Sequence, residues 1–309
     1  MIDDLPPWPK PMLAAIPAPG PDGLRRVLDD EHLAVFRPAG STLVVGFEEG
    51  RHLMAGGRTL AHRMEEREGW SSLSIVNRAR SFFRGAALAA YFDGLTDEGF
   101  FDGFDRVLFV GADEEAGFAA CAYSVAAPGA TVLAVHPVAT LERSRTAWER
   151  RFRRERAADW GARYAYAPAM VDAAARAYVL SDPTALFPEV HASLFQGPHV
   201  THLHAPHAGA DLNELLRDLD LFAPMAVAAA EGTLGAASFG ALWRARRESP
   251  LYLAKLLGAL DPAKRPDLTA RACRWMLARD AESRPAQRAL KVAEAARAER
   301  KQQVRIAGE

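Results

Sequence analysis

Seven short runs of apolar, largely β-branched residues, most of them separated by helical stretches, limit what this chain can fold into: Leu33–Arg37, Thr42–Phe47, Leu73–Val76, Arg106–Val110, Thr131–Val135, Ala177–Leu180 and Val200–His204. Glycine, proline or aspartate stands at nearly every boundary between them. The inner runs Val107-Leu-Phe-Val110 and Thr131-Val-Leu-Ala-Val135 are apolar throughout, as strands buried on both faces must be. Strands that alternate with helices imply a mostly parallel, doubly wound α/β sheet covered on both sides.

The helical stretches include Arg84–Leu95 and Glu115–Ala126, with a shorter one expected at Leu24–Asp30. Residues 1–23 hold seven prolines and read as an extended arm without helix or interior strand. From Leu221 onward strand signals stop, and helices are expected near 223–231, 237–247, 250–260, 266–280 and 284–303. The expected organisation is an arm (1–23), an α/β domain (24–220) carrying a cap-like insert (138–175), and an all-helical C-terminal region (221–309).

A chain of 309 residues with 49% apolar and 25% charged side chains holds one large domain and an appendage, and is not disordered as a whole. Cys121 and Cys273 lie far apart and match no metal or redox spacing, so they read as buried thiols in a reducing compartment. No apolar run approaches the roughly 20 residues that span a bilayer. The acidic, proline-rich start is not a secretory signal, and a cytoplasmic location is expected. The net charge of −1 conceals an asymmetry: residues 1–220 carry 22 Lys and Arg against 30 Asp and Glu, and residues 221–309 carry 16 against 9. The basic helical region is a candidate surface for a protein partner. Nucleic acid is not expected, because no recognition motif accompanies the charge.

The most informative segment runs from Arg106 through Gly111-Ala112-Asp113-Glu114-Glu115 to Ala120: a buried strand, a tight turn and a helix of small residues. This unit resembles the nucleophile elbow of the α/β-hydrolase fold. Chain order extends the resemblance, with Asp182 just after one later strand, at the acid position, and His207 just after the last, at the histidine position. More narrowly, Gly117-Phe-Ala-Ala120, the run Val125–Val135 and His191-Ala-Ser-Leu-Phe195 resemble a bacterial family of hydrolase-like proteins of uncharacterised function. Some members of that family are labelled phosphoadenosine phosphosulfate reductase. Such a sulfonucleotide reductase needs a phosphate-cradling loop and a catalytic cysteine near the C-terminus, and neither cysteine here sits in such a motif. The resemblance implies an α/β-hydrolase-type sheet and a binding or accessory module with no cofactor, placed in surface-glycan metabolism.

An active hydrolase of this fold reads Gly-x-Ser-x-Gly, whereas acids fill the turn here. Three readings compete for them. Asp113 can cap the helix, with Glu114 and Glu115 in its first turn facing the positive end of the dipole. Alternatively Asp113 is a nucleophile that forms an ester, which water activated by His207, oriented by Asp182, cleaves. In the third, the chemistry lies elsewhere, including a role for Glu114 if the turn is shifted by one residue. Either way three acids at one helix N-terminus repel phosphate, which disfavours a nucleotide loop.

His202 and His204 share one strand face beside His199 and His207, a weak candidate metal cluster set against the polar face of an edge strand. No metal is assigned. In the insert, Arg150, Arg153 and Trp148 are candidate contacts for an acidic small molecule or glycan. The competing reading is an Arg-rich amphipathic helix with Trp148 and Phe152 packed inward.

Overall fold

The computed structural model describes residues 8–16, 18–20, 22–50, 53 and 58–307. Eight strands form one sheet: β1 (Leu24–Val27), β2 (His32–Arg37), β3 (Thr42–Glu49), β4 (Ser71–Asn77), β5 (Arg106–Gly111), β6 (Thr131–Val135), β7 (Arg176–Ser181) and β8 (Val200–His204). Their order is β1-β2-β4-β3-β5-β6-β7-β8. β2 runs antiparallel to both neighbours, and the strands from β4 through β8 pair in parallel. That is the strand order of the α/β-hydrolase fold, as expected from the sequence.

The crossover helices are α2 (Leu60–Glu68), α3 (Ala86–Asp97) and α4 (Glu114–Tyr123), preceded by a short α1 (Lys10–Ala15). Facing one side of the sheet, α3 and α4 pack their apolar residues with Phe47, Phe109 and Val132. Leu60 and Met64 of α2 pack on the other side with Val44, Leu108 and Val110. Phe92 and Tyr123 stack at 4.5 Å in the first of these cores. Burying each such side chain contributes about 1.5–3 kcal/mol, so these two cores outweigh the surface ion pairs, worth about 0–1 kcal/mol each.

Three expectations are corrected. Leu24–Val27 is an edge strand rather than part of a helix, because its side chains alternate between exposed and half-buried against β2. Lys10–Ala15 is helical despite the surrounding prolines, since Pro11 sits in the first turn, where no N–H is needed. The insert holds no helix over 143–154 and only short helical segments at Glu155–Ala157, Ala167–Met170 (α5) and Val171–Ala173. Phe152 is buried there against Phe82.

After α6 (Leu186–Ala192) and α7 (Leu212–Asp218), α8 (Phe222–Ala230) lays Phe222, Met225, Ala226 and Ala229 on the sheet face that α2 also covers. α9 (Ala236–Leu242), α10 (Pro250–Ala259), α11 (Pro266–Leu277) and α12 (Arg284–Ala307) follow, close to the ranges expected. No helix among the described residues is long and apolar enough to cross a membrane. Both cysteines are free and buried.

The turn from β5 into α4 leaves no room for side chains. A Cβ on Gly111 would lie 2.1 Å from Ala116 O, and one on Gly117 would lie 2.9 Å from Val135 O. Gly94, in α3, has open space around the same position. Gly111→Ala is expected to cost about 3 kcal/mol and Gly94→Ala to gain up to about 1 kcal/mol in denaturant unfolding. Equal effects at the two positions would contradict this account of the turn.

Candidate functional site

β3 and β5 are neighbours whose following helices leave to opposite faces of the sheet. Such a switch point opens a crevice outside the carboxyl ends of the strands. Phe47 and Glu48 end one wall of it, Ala112 and Asp113 end the other, and Arg63, Asn213 and Arg217 close it from α2 and α7.

Asp113 is the N-cap of α4. Its Oδ1 accepts from Glu115 N at 3.0 Å and Ala116 N at 2.8 Å. Its backbone is extended, at φ −147° and ψ −175°, and not in the strained conformation that lifts a nucleophile out of an elbow.

Glu114 pairs with Arg151. Burial raises its pKa, against the pull of Arg151. Glu115 is buried and turns under the helix. Its Oε1 accepts from Ser81 N at 2.8 Å, Phe82 N at 2.7 Å and the Asn77 amide, while Arg80 stands 3.6 Å from Oε2. Burial, aided by Asp113, pushes its carboxyl up to about 8.

Asp182 and His207 do meet, but through the backbone of His207 and not its ring. Asp182 Oδ1 accepts from His207 N (3.1 Å), Thr184 N (2.8 Å) and Thr184 Oγ1 (2.7 Å), and Oδ2 accepts from Gly209 N (2.7 Å). Burial opposes its ionisation, and these donors outweigh burial and hold its pKa low. His207 itself lies at φ 64°, in the left-handed region that a non-glycine residue rarely adopts.

In the insert Arg150 and Arg153 are exposed, and Trp148 stacks on Phe187 at 6.2 Å and leans on His191 at 4.7 Å. The anchor there is Arg151, which joins Glu114 to the buried Glu149. Glu149 also takes a hydrogen bond from His191 Nε2 at 3.1 Å, while His191 Nδ1 accepts from Ala139 N. That second bond fixes the imidazole proton on Nε2. Burial disfavours the Glu149 carboxylate, yet the His191 and Arg151 bonds prevail and hold it down at about 2.

Among the described residues no group of three His, Cys, Asp or Glu side chains could hold a metal. His202 is hydrogen-bonded to Phe195 O at 3.0 Å, and His204 is exposed.

Sequence reasoning missed Glu48, Glu149, His136 and the Arg63/Arg217 pair. Glu48 had a legible signal, since an acid that continues an apolar strand must find partners at its end. It accepts from Leu60 N, and burial lifts it to about 8 against Arg63 and Arg217. His136, at φ 49° directly after β6, accepts from Asp182 N at 3.0 Å, and burial brings it down to about 4 against the pull of Asp182.

No family model matches the chain, and no curated protein matches it in sequence. Among solved structures it is similar to Est1E from Butyrivibrio proteoclasticus, at 11% identity and a TM-score of 0.42, covering 67% of this chain and 99% of that one. It is also similar to the capsule O-acetyltransferase of Neisseria meningitidis serogroup A, at 7% identity and a TM-score of 0.41, covering 63% of this chain and 91% of that one.

The raised carboxyls make stability depend on pH with a definite sign. Between the ordinary 4.5 and about 8, Glu115 and Glu48 keep a proton in the folded state that the unfolded chain has released. Their contribution is therefore full below 4.5 and lost as pH rises through about 8. Each group sets a slope of at most about 1.4 kcal/mol per pH unit. Unfolding free energies measured across this range should fall less steeply in Glu115→Gln than in the parent. Parallel profiles would contradict the assignment.

Proposed function

We propose that this chain is a hydrolase-fold protein that works by binding, as an accessory module without covalent catalysis at the elbow. The observation that carries the reading is the Asp113 carboxylate, spent on capping its own helix from an unstrained backbone. A carboxylate nucleophile has to face substrate carbon within about 3–3.5 Å and be backed by an imidazole poised to activate water. Here the residue at the acid position, Asp182, is committed to backbone N–H groups of the His207 loop. It thereby orders that loop but does not orient the ring.

The role in surface-glycan metabolism belongs to this proposal as its broadest setting and rests on family resemblance. An acidic ligand suits the exposed Arg150 and Arg153 of the insert, where guanidinium forks stand free of the core.

The alternative is a hydrolase that uses Asp113, or Glu114, with Asp182 and His207. One experiment separates the two. A panel of ester, epoxide and haloalkane substrates is expected to give no turnover with the parent protein, and Asp113→Asn is expected to change stability by about 1 kcal/mol or less. Turnover in the parent that disappears in Asp113→Asn would establish the nucleophile instead.

A further inference from the structure

The switch-point crevice continues beyond the elbow. A cavity of about 120 Å³ between Glu48, Asp113 and Arg58 adjoins one of about 330 Å³ lined by Leu60, Met64, Leu216, Phe222 and Ala223. Arg63, Asn213 and Arg217 line both, so they stand at the junction. Together the cavities reach the lower end of the size range of small-molecule sites, which run from roughly 300 to 1,000 Å³.

The charges around them do not cancel. Arg58 pairs with Glu66, and Arg67 pairs with Asp220 at 2.8 Å. Glu48 accepts from the backbone N–H of Leu60, and the Asp113 carboxylate is turned into its helix N-terminus. Among the described residues Arg63 and Arg217 form no ion pair with any carboxylate, although both are within electrostatic reach of Glu48. Arg63 and Arg217 thus line the junction, with two carboxyl groups in the smaller cavity and, in the larger one, apolar side chains beside the Arg67–Asp220 pair and Glu66. A polar head at the junction with an apolar body along Leu60, Met64, Leu216 and Phe222 fits these walls.

We infer that this crevice binds a small amphipathic carboxylate, its head held by Arg63 and Arg217 and its apolar body lying among Met64, Leu216 and Phe222. A single negative charge matches the site better than a phosphate dianion, which meets stronger repulsion from the Asp113 carboxylate lining the smaller cavity. Guanidinium forks match carboxylate geometry, and Asn213 offers a neutral donor beside them. The assignment rests on the binding reading above, in which the crevice is filled, while the ligand class itself is tested separately from turnover.

The test is calorimetric titration of the full chain with octanoate, octanol and octyl phosphate. Octanoate is expected to bind, with octanol and octyl phosphate each weaker by about tenfold or more. Arg63→Gln and Arg217→Gln, both at exposed side chains, should each weaken octanoate by about tenfold. Ala223→Trp should weaken it further by filling the chamber. Melting curves that match the parent show that these variants remain folded. No heat with octanoate, octanol binding equally well, tighter octyl phosphate, or indifference to both arginine changes would overturn the assignment. Hydrolysis of octanoyl esters that is lost in Asp113→Asn would remove the non-catalytic reading. Octanoate affinity that falls in the arginine variants upholds the ligand class whether or not such hydrolysis occurs.

Discussion

Everything at the carboxyl edge of the sheet depends on one buried carboxyl group, that of Glu115. It lies beneath the first turn of α4 and takes the N–H groups of Ser81 and Phe82 together with the Asn77 amide. Those donors belong to the end of β4 and the loop after it, two strands away from β5. Ser81 leads into Phe82 and Phe83, both at φ 53°, a backbone that costs free energy and persists only where its surroundings enforce it. The Glu115 carboxyl oxygen, accepting from both backbone N–H groups, supplies that enforcement. Leaving three buried donors unpaired would cost about 1–3 kcal/mol for each.

The same economy runs along the whole edge. Glu48 receives the first N–H of α2, Asp113 receives two N–H groups of α4, and Asp182 receives those of Thr184, His207 and Gly209. A hydrolase of this fold needs several of these positions for chemistry: a nucleophile in the turn, an acid on the imidazole, and free N–H groups for an oxyanion. Here the acids meet backbone donors of their own and neighbouring loops. Among the described residues Arg63 of α2 and Arg217 of α7 are left without an ion pair. Ligand recognition is the chemistry those arginines can perform.

Much of the sheet was legible because its inner strands are buried on both faces and so carry uninterrupted apolar runs. The β5 turn was legible for a related reason: Gly111 and Gly117 mark backbone approaches that no Cβ survives. Elements governed by weaker constraints were not. β1 is a four-residue edge strand with alternating exposure, which a short helix imitates. Trp148 and Phe152 have helical spacing, but Glu149, Arg151 and His191 pin that stretch in an irregular path through contacts far apart in sequence. The cap role of Asp113 could be read from its place before an apolar helix. The burial of Glu115 could not, because a first-turn glutamate ordinarily faces solvent and the helix dipole. Arg63 and Arg217 meet only through the fold, since nothing in either segment announces the other.

The central claim is that Asp113 belongs to its helix and not to a substrate. Residue-resolved amide hydrogen exchange of Glu115 and Ala116 tests it most directly, since these first-turn N–H groups have no acceptor within the helix. The account predicts slow exchange in the parent protein and fast exchange at both amides in Asp113→Ala, with the remainder of α4 unchanged. Fast exchange at both amides in the parent would mean that the carboxylate points into the crevice, and would contradict the account.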